Sequence, residues 1–296
     1  MRLDLAQLRA LRATVDAGTL DAAAEVLHVT PSAVSQRIKA LESAAGRVLL
    51  VRSRPVRVTR AGRAVLRLAR QVDLLAAETA NEIGDEPAHA PVELAIAVNA
   101  DSLGTWLLPA LAELRESITF DLYREDQDQT ALLLREGTVV AAVTAADQPV
   151  GGCPSTPLGV LRYRPAATPT FAQRWFPDGT TPAALGQAPM VNFDRDDDLQ
   201  RRFLREHGDS SAATRPTHHV PTSDGFEQAV IAGFGWGMLT EAQLERLEPN
   251  QLTLLDPQAT VDVPLYWQRW KLRPPSLDRL THVVVTAGRA AQVPAG

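Results

Sequence analysis

Two groups of residues in this 296-residue chain have the types and spacing to do chemistry. The first lies in residues 35–70, where Arg37, Lys39, Arg47, Arg52, Arg54, Arg57, Arg60, Arg63, Arg67 and Arg70 stand against a single acid, Glu42. Cations at that density suit phosphate oxygens, so they imply a polyanionic partner. The second joins acids and hydroxyls: Asp101 with Ser102, Glu125 with Asp126, Thr144, and Ser223 with Asp224. Singly, each acid reads as a helix cap or a solvated turn. Together they suit a zwitterion that carries an extra cation.

Catalysis has much weaker support. Six histidines (His28, His89, His207, His218, His219 and His282) form no i, i+4 metal pair, and no nucleophile elbow or P-loop is present. Cys153 is the only cysteine, which removes a disulfide framework and fits a reducing compartment. The sequence therefore predicts no enzyme, no metal site and no cofactor. No uncharged apolar run reaches the ~18 residues that span a bilayer, and Arg2, Asp4, Arg9 and Arg12 interrupt any signal peptide, so a cytoplasmic protein with no membrane partner is expected. The net charge of -5 divides into +5 over residues 1–83 and -10 over the remainder. A basic module precedes an acidic body.

The elements that position the basic residues can be read locally. Leu5, Leu8, Leu11 and Val15 recur at helical spacing and Gly18 stops that helix; a second short helix runs over residues 20–28. A third opens with Thr30 as N-cap and Pro31 at its first position, and Gly46 ends it. At 100° per residue, Val34, Ile38 and Leu41 share one face. Ser32, Gln36, Lys39 and Ser43 take the opposite face, with Ser35 on the flank. Residues 48–51 and 56–58 read as two strands around a basic turn, with Arg52, Arg54 and Arg57 placed to meet phosphate. The whole is a winged helix-turn-helix over residues 1–58, in which Thr30, Ser32, Ser35, Gln36 and Lys39 enter the major groove of double-stranded DNA.

The run from Ala23 to Gly62 resembles the DNA-binding domain of LysR-type transcriptional regulators, with helix lengths, turn, wing and the following Thr-Arg-Ala-Gly all in order. Beyond it, Val65, Leu68, Val72 and Leu75 repeat as an a/d seam. The spacing also fits a helix packed on its own domain, but the resemblance implies a dimerisation helix and a homodimer or homotetramer. Residues 59–88 then form the linker, with a hinge at 85–91.

From Val92 strands alternate with helices, which predicts an α/β body with a mostly parallel sheet and ligands outside the carboxyl ends of its strands. Ser102 is expected to cap a helix whose N–H groups hold a carboxylate. The resemblance implies a two-subdomain, periplasmic-binding-protein-like effector domain over 89–296, with subdomain I at 91–160 and 265–296 and subdomain II at 161–264. The last segment contains three successive valines but carries Ser276 as a cap and Leu277, Leu280, Val284 and Ala287 at helical spacing, so a helix is expected. The runs VNADSLGTWLLPAL, AAVT and VPTSDGFEQAVIAGFGWGML, with Glu125 and Asp126, resemble the branch of the family that senses basic amino acids, ArgP and LysG. That resemblance implies a regulator of amino-acid export or related genes, with lysine, arginine or histidine as effector and RNA polymerase as a further partner.

Overall fold

The computed structural model describes residues 3–84, 91–125, 127–208 and 215–292. Asp126 and nearly all of the expected hinge lie outside the described residues.

The basic module contains α1 (Leu5–Asp16), α2 (Leu20–Val26), α3 (Pro31–Ala45), the strands β1 (Leu50–Val51) and β2 (Arg57–Val58), and the long α4 (Arg60–Ile83). Each of the first three helices starts on a side chain that accepts a first-turn N–H: Asp4, Thr19 and Thr30. Loss of one such cap costs about 1 kcal/mol. Gly46 closes α3 in the left-handed region at φ 64°, where a side chain would be strained. Leu8, Leu11, Val34, Ile38, Leu41, Leu49, Val65 and Leu66 meet in one core. Glu42, the lone acid of the basic stretch, accepts the N–H groups of Leu49 and Leu50 at 2.8 and 3.3 Å and so ties the wing to α3. Gly62 lets α4 lie flush on the wing, because a Cβ there would fall 2.1 Å from the Leu49 carbonyl oxygen.

The body opens with β3 (Val92–Val98) and a helical run made of α5 (Ala100–Ser102), a π-turn at Leu103–Leu107, α6 (Leu108–Leu111) and a 3₁₀ turn at Ala112–Leu114. The π-turn precedes Pro109, which has no N–H to continue the i→i−4 ladder. There follow β4 (Ile118–Arg124), α7 (Gln127–Glu136), β5 (Ala141–Thr144), β6 (Ser155–Ala167), α8 (Pro169–Trp175), α9 (Pro182–Gln187) and β7 (Met190–Asn192). The chain continues through α10 (Leu199–Glu206), β8 (Thr217–His219), α11 (Ser223–Ile231), β9 (Gly237–Thr240), α12 (Glu241–Glu245), β10 (Thr253–Leu254), β11 (Val261–Arg269) and α13 (Pro275–Ala291).

One seven-stranded sheet, ordered β10-β6-β11-β5-β3-β4 with β9 also on β6, runs through the body. It is parallel only at the β4-β3-β5 end; β11 pairs antiparallel with both β5 and β6, and β6 with β9 and β10. The expectation of a mostly parallel sheet is therefore corrected: β5 passes into β6 with no crossover helix between them, and β11 returns antiparallel to both after the chain has run through residues 168–260. Their shared register from Tyr163↔Val261 to Ser155↔Gln268 makes them the common spine of both ends. The α/β class and the C-terminal helix stand as expected. Leu277, Leu280 and Val284 are fully buried in α13, so core packing overrides the strand propensity of Val283, Val284 and Val285. Ser276 is not its cap: Pro274 holds that position without a side-chain bond, and Ser276 lies buried inside the first turn.

Candidate nucleic-acid interface and ligand cleft

On α3 the apolar face formed by Val34, Ile38 and Leu41 is buried, which turns Ser32, Gln36, Lys39 and Ser43 to solvent. Thr30 is exposed, and its Oγ1 accepts the Ala33 N–H at 3.2 Å, so its hydroxyl serves the helix start. Ser35 is half-buried on the flank. The wing pairs Leu50 with Val58 and Val51 with Arg57, and Arg52, Arg54 and Arg57 are all exposed. The basic residues separate by partner. Arg63 meets Glu136 at 3.2 Å and Arg70 meets Asp16 at 2.7 Å, whereas Arg37, Lys39, Arg47, Arg52, Arg54, Arg57 and Arg60 form no ion pair among the described residues. The unneutralised charge thus concentrates on α3 and the wing, where a phosphate backbone would run.

The seam on α4 is not one free face. Val65 belongs to the N-terminal core, because α1 packs on the first turns of α4, and it is closed to a second chain. Val72 packs partly on that core, Leu68 is half-buried, and Leu75 is 41% exposed. A groove of about 720 Å³ runs between α1, α2 and α4, lined by Ala13, Val26, Leu27, Ala76, Ala77 and Ala80 among others.

In the body, the carboxylate of Asp101 is the meeting point of three elements. The Tyr163 hydroxyl on β6 donates to its Oδ2 at 2.6 Å, and the Ser223 hydroxyl at the start of α11 donates to its Oδ1 at 2.8 Å. Gln243 donates to Ser223 at 3.3 Å and is itself fixed by a capping box with Thr240, both side chains being buried. Burial, and then the negative charge of Asp101, raise the Tyr163 phenol well above its ordinary range, so it stays a donor. Asp197 lies near the same charge. Its oxygens accept the N–H groups of Phe193 at 3.1 Å and Leu199 at 2.9 Å, yet burial raises its carboxyl, and Asp194 and Asp101 push the same way. Arg124 at the end of β4 donates to the Pro221 carbonyl at 3.1 Å and lies 5.5 Å over the Phe193 ring. Arg246 donates to the Gly104 carbonyl at 3.2 Å. These contacts reach from the β4-β3-β5 end of the body to the segments around β7, α11 and α12.

Of the residues named from sequence, the structure joins Asp101 and Ser223 directly. Ser102 is fully buried and does not cap: Asn99 does, its side chain accepting the Ser102 N–H at 2.8 Å. The helix begins three residues earlier than expected because Asn, like Ser, accepts a first-turn N–H. Glu125 is half-buried at the end of β4, its N–H on the Val98 carbonyl. Thr144 is buried and accepts the Ala146 N–H, and Asp224 is exposed. Among the described residues no hydrogen bond joins Glu125, Thr144 or Asp224 to Asp101. Tyr163, Gln243 and Asp197 were missed by sequence reasoning.

Comparison with known proteins assigns both halves of the chain to a family. The profile described as "Bacterial regulatory helix-turn-helix protein, lysR family" matches residues 5–63, and that of the "LysR substrate binding domain" matches residues 90–289. The chain is 42% identical over 286 residues to the lysine export transcriptional regulatory protein LysG of Corynebacterium efficiens, covering 96% of this chain and 97% of that one. It is similar to the crystal structure of ArgP from Mycobacterium tuberculosis, with a TM-score of 0.90 and 46% identity over 99% of this chain and 100% of that chain. It is also similar to full-length LysG from Corynebacterium glutamicum with bound effector Arg, with a TM-score of 0.82 and 38% identity over 99% and 100% of the two chains. These relatives are regulators and not enzymes, and with both profiles matched across its length, the chain belongs to the LysR family of bacterial helix-turn-helix regulators.

Proposed function

We propose that this chain is a cytoplasmic, DNA-binding transcription regulator whose effector is a basic amino acid, lysine, arginine or histidine, and that it controls amino-acid export or related genes. One observation carries the effector reading. Asp101 is held by two neutral hydroxyls, and no cation among the described residues pairs with it. An ammonium or guanidinium group is the partner that such a carboxylate selects. Glu125 at the end of β4 adds negative charge, and Asp126, Thr144, Ser223 and Asp224 are the further candidate contacts, with the helix start at Asn99 to Ser102 as the candidate for the effector's carboxylate. The arginine bound by LysG of C. glutamicum supports this assignment.

The DNA reading gives Gln36, Lys39, Ser32 and Ser35 to base edges and Arg52, Arg54 and Arg57 to phosphate. The working protein is a homodimer or homotetramer, joined through the exposed face of α4 at Leu68, Val72 and Leu75, and RNA polymerase is the partner through which an activator acts. Residues 1–58, 59–88 and 89–296 divide these tasks. A thermal-shift screen of the twenty amino acids tests the effector, because a ligand of the folded state raises stability by mass action. Stabilisation by lysine, arginine or histidine alone is expected. Stabilisation only by a neutral or acidic compound defeats the reading.

A further inference from the structure

The linker helix α4 is fastened to the body of its own chain at two places. Over its first half, Arg63 pairs with Glu136 at 3.2 Å and Arg70 donates to Thr138 at 3.2 Å. Between them Gly137, at φ 76°, sits so close to Arg67 that a Cβ would lie 2.9 Å from the Arg67 Cα. Near its end, the buried carboxylate of Glu78 accepts the backbone N–H of Ser276 at 2.9 Å. That N–H belongs to the first turn of α13, whose N-cap is Pro274 and which has no capping side chain of its own.

A buried carboxylate without a cation is costly. Here the positive end of a 17-residue helix and its unshared N–H compensate it. Glu78 thus supplies from α4 the cap that α13 lacks, and α4 cannot leave the body without stripping that helix of it. The far side of α13 touches the cleft. Gly288 lies against Trp106 and Leu158, where a Cβ would come within 3.3 and 3.2 Å, and Trp106 sits in the π-turn that directly follows Asp101 and Ser102. Midway, the Trp267 indole donates to Thr281 at 3.2 Å and holds α13 on β11. From Ser276 to Gly288 is about 18 Å of continuous helix.

The geometry points to Glu78 as a positioning residue that couples the cleft to the DNA-binding arm: by capping α13, it makes α4 follow any shift of the segment that carries Asp101. Among the described residues, no other charged side chain of α4 beyond Arg70 bonds to the body, so a change at Glu78 separates coupling from ligand binding. The inference rests on the effector reading above only in using arginine as the probe.

The test uses the full chain with Glu78→Ala and Glu78→Gln, hydrogen exchange with and without arginine, and calorimetry for arginine affinity. Without arginine, Glu78→Ala is expected to speed exchange about fivefold, as loss of a cap does, both in the first turn of α13 and over residues 74–83. Its arginine affinity should stay within about twofold of the parent, since Glu78 does not touch the cleft, whereas the arginine-induced change over residues 74–83 should vanish; Glu78→Gln, which keeps an acceptor, should restore most of it. A purely structural cap would leave that arginine response in place, and its persistence in Glu78→Ala overturns the proposal. So does faster exchange confined to α13. Gly288→Ala supplies an arm that leaves α4 untouched: pushing Trp106 should alter exchange over residues 74–83, and no change there also counts against the coupling. Absence of heat when arginine or lysine is added to the parent chain defeats the effector reading instead, while the exchange measured without arginine still judges Glu78.

Discussion

Replacing Asp101 by asparagine removes one negative charge while leaving an oxygen to accept a hydroxyl. The choice of asparagine matters. Alanine would orphan the Tyr163 hydroxyl, which is buried, at about 1–3 kcal/mol for a group left unsatisfied, whereas the half-buried Ser223 hydroxyl keeps its bond from Gln243. With asparagine, the one remaining side-chain oxygen can take the Tyr163 bond, so the tie between β6 and α5 is kept and the change is mainly one of charge. A hydrogen bond to a charged group is worth about 1.5–3 kcal/mol, which converts to a loss of one to two decades in affinity for arginine or lysine. Calorimetry on the full chain reads this directly, and urea unfolding run alongside checks that stability has moved by no more than about 1 kcal/mol. Unchanged arginine affinity in a folded Asp101→Asn protein would refute the reasoning, because the carboxylate could then not be the group that selects a cation. Affinity for a neutral amino acid should rise relative to arginine in the same variant.

Three further outcomes follow from the same geometry. Gln36→Ala should relax sequence preference at roughly 1–3 kcal/mol while Arg54→Ala weakens all DNA alike and lowers the salt slope by about one, so proportional losses of specific and non-specific binding in both would show that the two surfaces do not divide the work. Leu68→Glu with Leu75→Glu should dissociate the oligomer in sedimentation without unfolding the N-terminal core, since Val65 and not these residues belongs to it; an unchanged sedimentation coefficient would put the interface elsewhere. The raised carboxyl of Asp197 holds its proton more tightly in the folded than in the unfolded chain, so its stability contribution is complete below the ordinary value of 3.8 and is lost as pH rises through the raised one. Asp197→Asn should therefore remove part of the fall in urea stability between acid and neutral pH, and parallel pH curves for the two proteins would contradict this.

What could be read from the sequence was what is decided within a turn or two of chain. Thr30, Pro31 and Gly46 specify α3 through its own orphan N–H and carbonyl groups, so its limits and its exposed face follow from local chemistry. Asp101 was visible for a similar reason, standing just past the apolar run of β3. The mistaken cap at Ser102 differs from the real one by three positions, since Asn99 and Ser102 are both competent and only the helix start chooses between them. Tyr163 was hidden because its role depends on contact with a residue 62 positions away in the sequence. Gln243 carried a usable signal: Thr240 and Gln243 form a T-x-x-Q capping box directly after an apolar strand. Asp197 carried a weaker one, as one of four acids within residues 194–198 after β7. The antiparallel half of the sheet had none, because strand direction for β6 and β11 is fixed by connections that run outside the sheet and not by composition.

The cleft contacts also bound how strongly a ligand can act. Asp101 is already bonded to Ser223, Arg124 to the Pro221 carbonyl and Arg246 to the Gly104 carbonyl, so the two sides of the cleft are tied before any effector is considered. A cation meeting Asp101 competes with the Ser223 hydroxyl, which keeps its bond from Gln243 when displaced and is not left unpaired. The exchange therefore substitutes an ion pair for a neutral donor without orphaning a buried group, and its free energy is the difference between two hydrogen bonds, on the order of 1–2 kcal/mol. A ligand shifts a conformational equilibrium only by its differential affinity for the two states. That difference corresponds to a factor of roughly 5 to 30 in the equilibrium, within the usual range of allosteric coupling energies. One exchanged contact at Asp101 is thus sufficient to bias the segment that carries Trp106, provided the body and α4 move as one, which places the burden of transmission on the cap that Glu78 lends to α13.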